Sequence, residues 1–189
     1  GLMRTIPGMV ILNPADAVEA KKAVFAAAAW DGPVYLRFGR LALPVVTDEA
    51  APFTIGQAQT LREGGDVTII ATGLPVGMAL EAAELLAAEG IAARVVNMAT
   101  IKPIDRDAVA RAAAETGAIV TVEEHNIIGG LGSAVAEVVC ETTPVPVVRV
   151  GVQDTFGRSG PAAELLTLFG FTPEHIGEAA REAIARKKN

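Results

Sequence analysis

Residues 119–138 constrain the fold of this chain more than any other stretch. They begin with an apolar, β-branched run, 119–122, which is typical of a buried strand. Two acids and a histidine follow, and three glycines then precede a small-residue run that predicts a helix opening at Ser133. A strand, a glycine turn and a helix in this order place backbone N–H groups at a helix N-terminus, where anions bind. The stretch predicts an α/β unit with a phosphate-binding or a purely structural turn.

The same alternation of strands and helices runs through the rest of the chain. Asn13 is predicted to cap the first helix, with Pro14 at its first position. Further strands are expected at 9–12, 34–38, 67–72, 93–98, 118–123 and 145–150, and helices at 76–89, 103–117, 133–142, 161–169 and 174–187. Such alternation predicts right-handed βαβ crossovers and a mostly parallel sheet covered on both faces.

Composition narrows the class of protein. Hydrophobic residues make up 51% of the 189 residues and charged residues 20%, which allows a substantial core. The net charge of −6 argues against binding to nucleic acid or to an anionic membrane surface. The longest uncharged run, 67–80, is too short to span a bilayer, and the single cysteine, Cys140, excludes an internal disulfide framework. We expect a cytoplasmic protein.

The glycine turn does not match a known phosphate-binding motif. A dinucleotide fingerprint needs a third glycine after Gly130 and Gly132, and an acid at the end of the next strand. Neither is present, and no Gly-Lys-Ser/Thr follows to make a Walker loop. We therefore favour a tight turn that lets the next helix pack closely on its strand, with Ser133 as the helix cap.

His125 stands at the end of a predicted strand, where α/β sheets gather ligands. With Glu123 and Glu124 beside it, His125 has the chemistry of a general base or a metal ligand. The only other histidine, His175, falls at the start of a predicted surface helix, so no second ligand cluster is visible. We favour a polar residue that bonds to backbone or faces an interface, and we predict no metal site.

Two arginines stand at the end of the strand predicted at 34–38: Arg37 within its last residues and Arg40 just after it. Alternation places Arg37 opposite Leu36 and Phe38, and Gly39 relaxes the chain so that Arg40 can turn outward. An arginine at a strand end suits fork-like recognition of phosphate or carboxylate. A salt bridge to a nearby acid explains such a residue equally well.

The remaining motifs give no complete catalytic set. Arg158 and Ser159 lie in a turn-rich loop that can bind an anion, although Ser159-Gly160-Pro161 is also an ordinary helix start. Cys140 has no basic neighbour in its predicted helix, which argues against a nucleophile. We predict no catalytic residue in this chain, and we retain His125, Glu124 and Arg158 as interface or loop candidates.

Taken together, several segments resemble the carboxyl-terminal part of transketolase-type thiamine enzymes. The resemblance covers nearly the whole chain and is strongest to transketolases split into two polypeptides. Deoxyxylulose-phosphate synthase and the beta subunits of 2-oxo-acid dehydrogenases share this architecture and remain alternatives. The matching segments are 3–9 (MRTIPGM), 13–16 (NPAD), 32–40 (GPVYLRFGR), 65–73 (GDVTIIATG), 97–105 (NMATIKPID) and 122–136 (VEEHNIIGGLGSAVA).

The resemblance implies a three-layer α/β/α carboxyl-terminal domain with a mostly parallel sheet over residues 57–189. Residues 1–47 would be the end of a pyrimidine-binding α/β domain, and 48–56 the linker between the two. Arg40 matches the arginine that grips the substrate phosphate in transketolases, although Gly39 stands where serine is usual.

The activity implied by the resemblance is transfer of a two-carbon ketol unit between sugar phosphates, as in the pentose phosphate pathway. Such an enzyme uses thiamine diphosphate and Mg²⁺, neither of which this fragment is expected to bind alone. The implied partners are an amino-terminal transketolase subunit or domain and a second copy in a homodimer. A non-catalytic dimerisation or regulatory module is a further alternative.

Overall fold

The computed structural model describes residues 1–187, which form two sheets with helices packed around them. The strands are β1 (Val10–Leu12), β2 (Val34–Leu36), β3 (Gln59–Arg62), β4 (Val67–Thr72), β5 (Ala93–Asn97), β6 (Thr100–Lys102), β7 (Ile119–Asn126) and β8 (Val147–Val152). The α-helices are α1 (Ala17–Ala29), α2 (Pro75–Ala88), α3 (Arg106–Thr116), α4 (Leu131–Glu141), α5 (Ala162–Leu168) and α6 (Pro173–Arg186), and a short 3₁₀ helix covers Leu2–Thr5.

The larger sheet has five strands in the order β3-β5-β4-β7-β8. Every pair is parallel except β3 with β5, which places the antiparallel strand at one edge. All six residues of β4 are buried, and they alternate between two cores because successive strand side chains point to opposite faces. Ile69 packs with α2 and α6 on one face, whereas Ile70 packs with α3 and α4 on the other. This arrangement confirms the predicted three-layer α/β/α fold.

The smaller sheet joins the amino-terminal residues to the rest of the chain. Its order is β2-β1-β6, with β1 parallel to β2 and antiparallel to β6. Because β6 comes after β5 in sequence, the carboxyl-terminal region supplies an edge strand to a sheet begun by residues 10–36. The two regions that flank the predicted linker at 48–56 therefore share backbone hydrogen bonds.

Most predicted elements are confirmed, and the differences have local causes. β3 and β6 were not predicted, since each is a short edge strand of three or four residues without a continuous apolar run. The predicted Asn13 cap is wrong: Asp16 caps α1 by accepting a hydrogen bond from the Glu19 N–H at 2.9 Å. Because α1 begins only at Ala17, Asn13 stands four residues before the helix, and its N–H bonds to the Ala99 carbonyl at 2.8 Å.

Asp16 also fixes the chain that follows β2. Its Oδ2 accepts hydrogen bonds from the N–H groups of Val46 and Thr47, each at 2.7 Å, and the Thr47 hydroxyl bonds to Oδ1. Burial alone raises the pKa of Asp16, but its hydrogen bonds outweigh that effect and hold the pKa below its usual range. The carboxylate thus ties residues 46 and 47 to the start of α1.

None of the helices within residues 1–187 combines the length and apolar character that crossing a bilayer requires.

Candidate functional site

The two sheets approach each other where β1 and β4 end. The Thr72 hydroxyl donates to the Asn13 carbonyl at 3.3 Å, and both residues are buried. Gly73 has a φ of +65°, and a Cβ at this position would lie 2.5 Å from Asn13 Nδ2. Only glycine meets both demands without strain, so Gly73 permits the close approach of the two regions.

A buried carboxylate links α1 to β5 beside this contact. Glu19 Oε2 accepts from the Ala15 N–H, and Oε1 accepts from Asn97 Nδ2, both at 2.7 Å. Burial raises the pKa of Glu19, although these hydrogen bonds oppose that effect. Asn97 Oδ1 has no hydrogen-bond partner among the described residues. This pair anchors the amino-terminal region to the central sheet.

Glu123 caps α4 from the neighbouring strand β7. Its two carboxylate oxygens accept the N–H groups of Leu131 and Gly132, at 2.7 and 2.8 Å. Burial raises the pKa of Glu123, while the two helix N–H groups work in the opposite direction. The donors that would bind a phosphate at this glycine turn are therefore already occupied by a side chain of the same domain.

The predicted Ser133 cap is wrong, because α4 begins two residues earlier and Glu123 takes that role. The Ser133 hydroxyl lies within the helix and accepts from the Gly129 N–H at 2.9 Å. A Cβ on Gly130 would clash with the Glu123 carboxylate, and one on Gly132 would lie 2.8 Å from Thr121 Oγ1. The glycines are therefore needed for close packing of α4 on the sheet, as the structural interpretation of this turn expected.

His125 lies in the last part of β7 and is bonded to the backbone. Its Nδ1 donates to the Asn126 carbonyl at 2.6 Å, which fixes the proton on that nitrogen. The same Nδ1 lies 3.7 Å from the Glu123 carboxylate. His125 also lines a cavity of about 220 Å³ between the first residues of the chain and the ends of β2 and β7. These contacts agree with a polar residue at an internal boundary.

Arg37 and Glu124 form a half-buried contact between the ends of β2 and β7. Arg37 Nη2 donates to the Glu124 carbonyl at 2.9 Å and lies 3.5 Å from the Glu124 carboxylate. Of the two explanations that the sequence allowed for the arginines, a salt bridge therefore applies to Arg37.

Arg40 is placed differently. Within residues 1–187 its side chain makes no hydrogen bond or ion pair, and it lines a cavity of about 650 Å³. Glu124 and Asn126 from β7 line the same cavity, together with apolar side chains of α5 and the residues after it, among them Leu165 and Phe169. An unpaired guanidinium at a cavity of this size is suited to an anionic group of a small ligand.

The structure brings Glu124 and Arg40 to one cavity and places His125 at the adjacent smaller one. Arg158 does not join them: it is exposed in the loop between β8 and α5, and it lines neither cavity.

The residues that the structure describes do not fit a metal-bound diphosphate. Among residues 1–187 there is no group of three or more His, Cys, Asp or Glu side chains able to hold a metal ion. The N–H groups at the start of α4, the other means of holding a phosphate, are bonded to Glu123.

This fold and the sequence from residue 56 onward identify the family. Residues 56–176 match the family model described as "Transketolase, C-terminal domain", and the chain belongs to that family. The resemblance found in the sequence is thereby confirmed.

Named relatives extend the match to nearly the whole chain. The chain is 50% identical over 186 residues to the 6-deoxy-6-sulfo-D-fructose transketolase subunit SqwH of Clostridium sp. (strain MSTE9), covering 98% of this chain and 58% of that protein. It is 42% identical over 186 residues to an apulose-4-phosphate transketolase subunit of Phocaeicola vulgatus, covering 98% and 59%. Among solved structures, a split gene transketolase described as an inactive beta4 tetramer superposes with a TM-score of 0.94, at 48% identity, covering 98% of this chain and 60% of that one. The chain thus spans about three fifths of each of these relatives.

Two parts of the site were not found from the sequence. Glu19 and Asn97 were not singled out, because the residues that bond are 78 positions apart and each looks like an ordinary polar residue in its own element. The capping role of Glu123 was also missed, although an acid that directly follows a buried apolar run and precedes a glycine turn is a usable signal.

Proposed function

We propose that this chain is the carboxyl-terminal part of a transketolase-type enzyme that transfers a two-carbon ketol unit between sugars bearing a terminal anion. Membership of the transketolase family supports the reaction type. The named substrates of two relatives support the anion, because one carries a sulfonate and the other a phosphate.

The observation that carries the substrate side of this proposal is the unpaired Arg40 at the cavity of about 650 Å³. Its guanidinium can bind the tetrahedral oxyanion at the end of the sugar through two parallel N–H bonds. The anion lies at the end of the sugar remote from the carbonyl carbon that reacts, so binding it positions the substrate without contact to the reacting atoms.

In ketol transfer, the C2–C3 bond of a ketose breaks, and C2 then forms a new bond to the carbonyl carbon of an aldose. Thiamine diphosphate supplies the electron sink in the complete enzyme. Since residues 1–187 do not fit the diphosphate and its metal, we assign this chain the positioning of the substrate anion and assign the cofactor site to other parts of the assembly.

We further propose that activity requires an amino-terminal transketolase section as a partner. Two relatives are named as transketolase subunits, and a solved split gene transketolase is described as an inactive beta4 tetramer, which supports this requirement. The homodimer expected from the sequence stays a prediction.

The test is to co-express the full polypeptide to which this chain belongs with an amino-terminal transketolase section of the same organism and to purify the complex. With thiamine diphosphate and Mg²⁺, the complex should convert a ketose phosphate and an aldose into products exchanged by two carbons, measured by mass spectrometry. Each part alone, under the same conditions, should give no such products. Ketol transfer by the chain alone would contradict the partner requirement, and a stable complex that exchanges no carbons with phosphate or sulfonate donors would contradict the activity.

A further inference from the structure

Among residues 1–187, the segment that carries Arg40 is hydrogen-bonded through its backbone only at its two ends. Residues 38–45 make no backbone hydrogen bond with the described part of the chain. At the far end, Val46 and Thr47 are bonded to Asp16. At the near end, the Arg37 N–H bonds to the Leu12 carbonyl at 2.8 Å and extends the β1–β2 ladder by one residue.

The Arg37 side chain extends this near anchor to the carboxyl-terminal domain. It reaches across to β7, where its Nη2 donates to the backbone carbonyl of Glu124 at 2.9 Å. The carbonyl belongs to β7, which lies between β4 and β8 in the larger sheet. Glu124 follows the last residue of β7 that pairs with β4 and lies in the irregular part of the β7–β8 pairing, so its carbonyl is free to accept a hydrogen bond from Arg37. The same Nη2 also lies 3.5 Å from the Glu124 carboxylate, so both contacts hold this end of the planar guanidinium at one residue of β7.

The contact between Arg37 and Glu124 gives the two arginines different electrostatic surroundings. Arg37 lies beside the Glu124 carboxylate, which offsets its charge, whereas Arg40 has no acidic partner within residues 1–187. Arg40 is only three residues further along the chain and shares the larger cavity with Glu124. If Arg37 were free, it would add a second positive charge close to this cavity, and Glu124 would be available to pair with Arg40.

We propose that Arg37 and Glu124 are positioning residues for Arg40. They fix the start of the 38–45 segment on β7 and leave Arg40 as the one guanidinium of the pair that is available to the anion of the sugar. This inference rests on the proposed role of Arg40 in substrate binding, and it gives the carboxyl-terminal domain, through Glu124, an indirect part in substrate affinity.

The experiment is a double-mutant cycle in the complete enzyme, measured with a phosphorylated and an unphosphorylated ketose donor. Arg37→Ala should raise KM for the phosphorylated donor about ten-fold, less than Arg40→Ala, and leave kcat/KM for the unphosphorylated donor within about two-fold. The Arg37→Ala/Arg40→Ala double variant should be no worse than Arg40→Ala, because Arg37 acts through Arg40. Glu124→Ala, which keeps the backbone carbonyl, should give a smaller change in the same direction.

Two further variants separate positioning from a structural role. Arg37→Lys retains the charge but has a shorter side chain without the planar guanidinium, so its KM for the phosphorylated donor should lie between those of wild type and Arg37→Ala. Arg106→Ala removes an exposed ion pair with Glu141 and should change KM for neither donor.

The outcomes distinguish this inference from the proposed function. Three results would each overturn the positioning role. The first is a double variant whose loss of kcat/KM equals the sum of the two single losses in free energy, and the second is an equal loss for both donors in Arg37→Ala. The third is an unchanged KM in Arg37→Ala when Arg40→Ala affects only the phosphorylated donor. If Arg40→Ala itself affects both donors equally, the proposed anion-binding role fails instead.

Discussion

Replacing Glu123 by alanine tests the structural centre of this domain. The carboxylate accepts the first two N–H groups of α4, and all three residues involved are buried. Without it, the Leu131 and Gly132 N–H groups lose their only partners inside the packed interface between β7 and α4. The Ser133 hydroxyl cannot replace it while it accepts the hydrogen bond from the Gly129 N–H.

The size of the effect follows from these two donors. A buried donor left unpaired costs about 1–3 kcal/mol, so two give a loss of about 2–6 kcal/mol. Part of this is offset, because the substitution also removes a carboxylate whose charged form is disfavoured by burial. We expect Glu123→Ala to lower the free energy of unfolding by about 2–4 kcal/mol. For a chain of this length, that corresponds to a melting temperature lower by roughly 5–15 °C.

The assay is urea and thermal unfolding of the purified chain followed by circular dichroism. Glu123→Gln should lose about half as much stability, since its amide oxygen can still accept one of the two N–H groups. Glu137→Gln is the matched control: it changes an exposed acid of the same helix that pairs with Arg4, and it should cost under about 1 kcal/mol. Faster amide exchange at Leu131 and Gly132 should accompany the loss. A Glu123→Ala variant within about 0.5 kcal/mol of wild type would refute the capping role.

Two other substitutions follow from the contacts between the amino-terminal region and the central sheet. Burial raises the pKa of Glu19, so the contribution of this group to stability is full below its ordinary pKa of 4.5 and is lost as pH rises through the folded-state pKa. The free energy of unfolding of the wild type should therefore fall with rising pH above 4.5, and Glu19→Gln should reduce this fall. The new amide can donate to the unpaired Asn97 Oδ1, and an unchanged pH slope would count against this contact. Gly73→Ala should destabilise the chain by about 2–4 kcal/mol through its positive φ and the contact with Asn13, whereas Gly65→Ala, where a Cβ meets open space, should not; equal melting temperatures for both would contradict the close approach.

Hydrophobic patterning was sufficient for the larger sheet because its parallel strands are buried on both faces. The runs at 67–72 and 93–97 read as strands without any knowledge of their neighbours. The sequence does not predict β3 and β6, because an edge strand is defined by the backbone with which it pairs. β6 pairs with β1, which lies about ninety residues earlier in the chain. A pattern confined to one segment does not contain that information.

In the candidate site, too, local sequence predicts some features and only the fold explains the others. Arg40 and Arg37 look alike in the sequence, since both stand at the end of the same predicted strand. Only the fold shows that β7 passes beside Arg37 and supplies the Glu124 carbonyl, which leaves Arg40 unpaired among the described residues. Similarly, the glycine turn was expected to be structural from its spacing, yet the reason, a buried Glu123 occupying its donors, required the register of β7 against α4.

The most direct test of the Arg40 assignment is steady-state ketol transfer by the complete enzyme carrying Arg40→Ala, compared with wild type and Arg40→Lys. We predict a KM for phosphate- or sulfonate-bearing ketoses raised by at least about ten-fold, with kcat/KM for an unphosphorylated ketose nearly unchanged. Arg40→Lys should recover part of the affinity, because it restores the charge without the fork. Equal losses for charged and uncharged donors, or no loss for either, would contradict the assignment of Arg40 to the substrate anion.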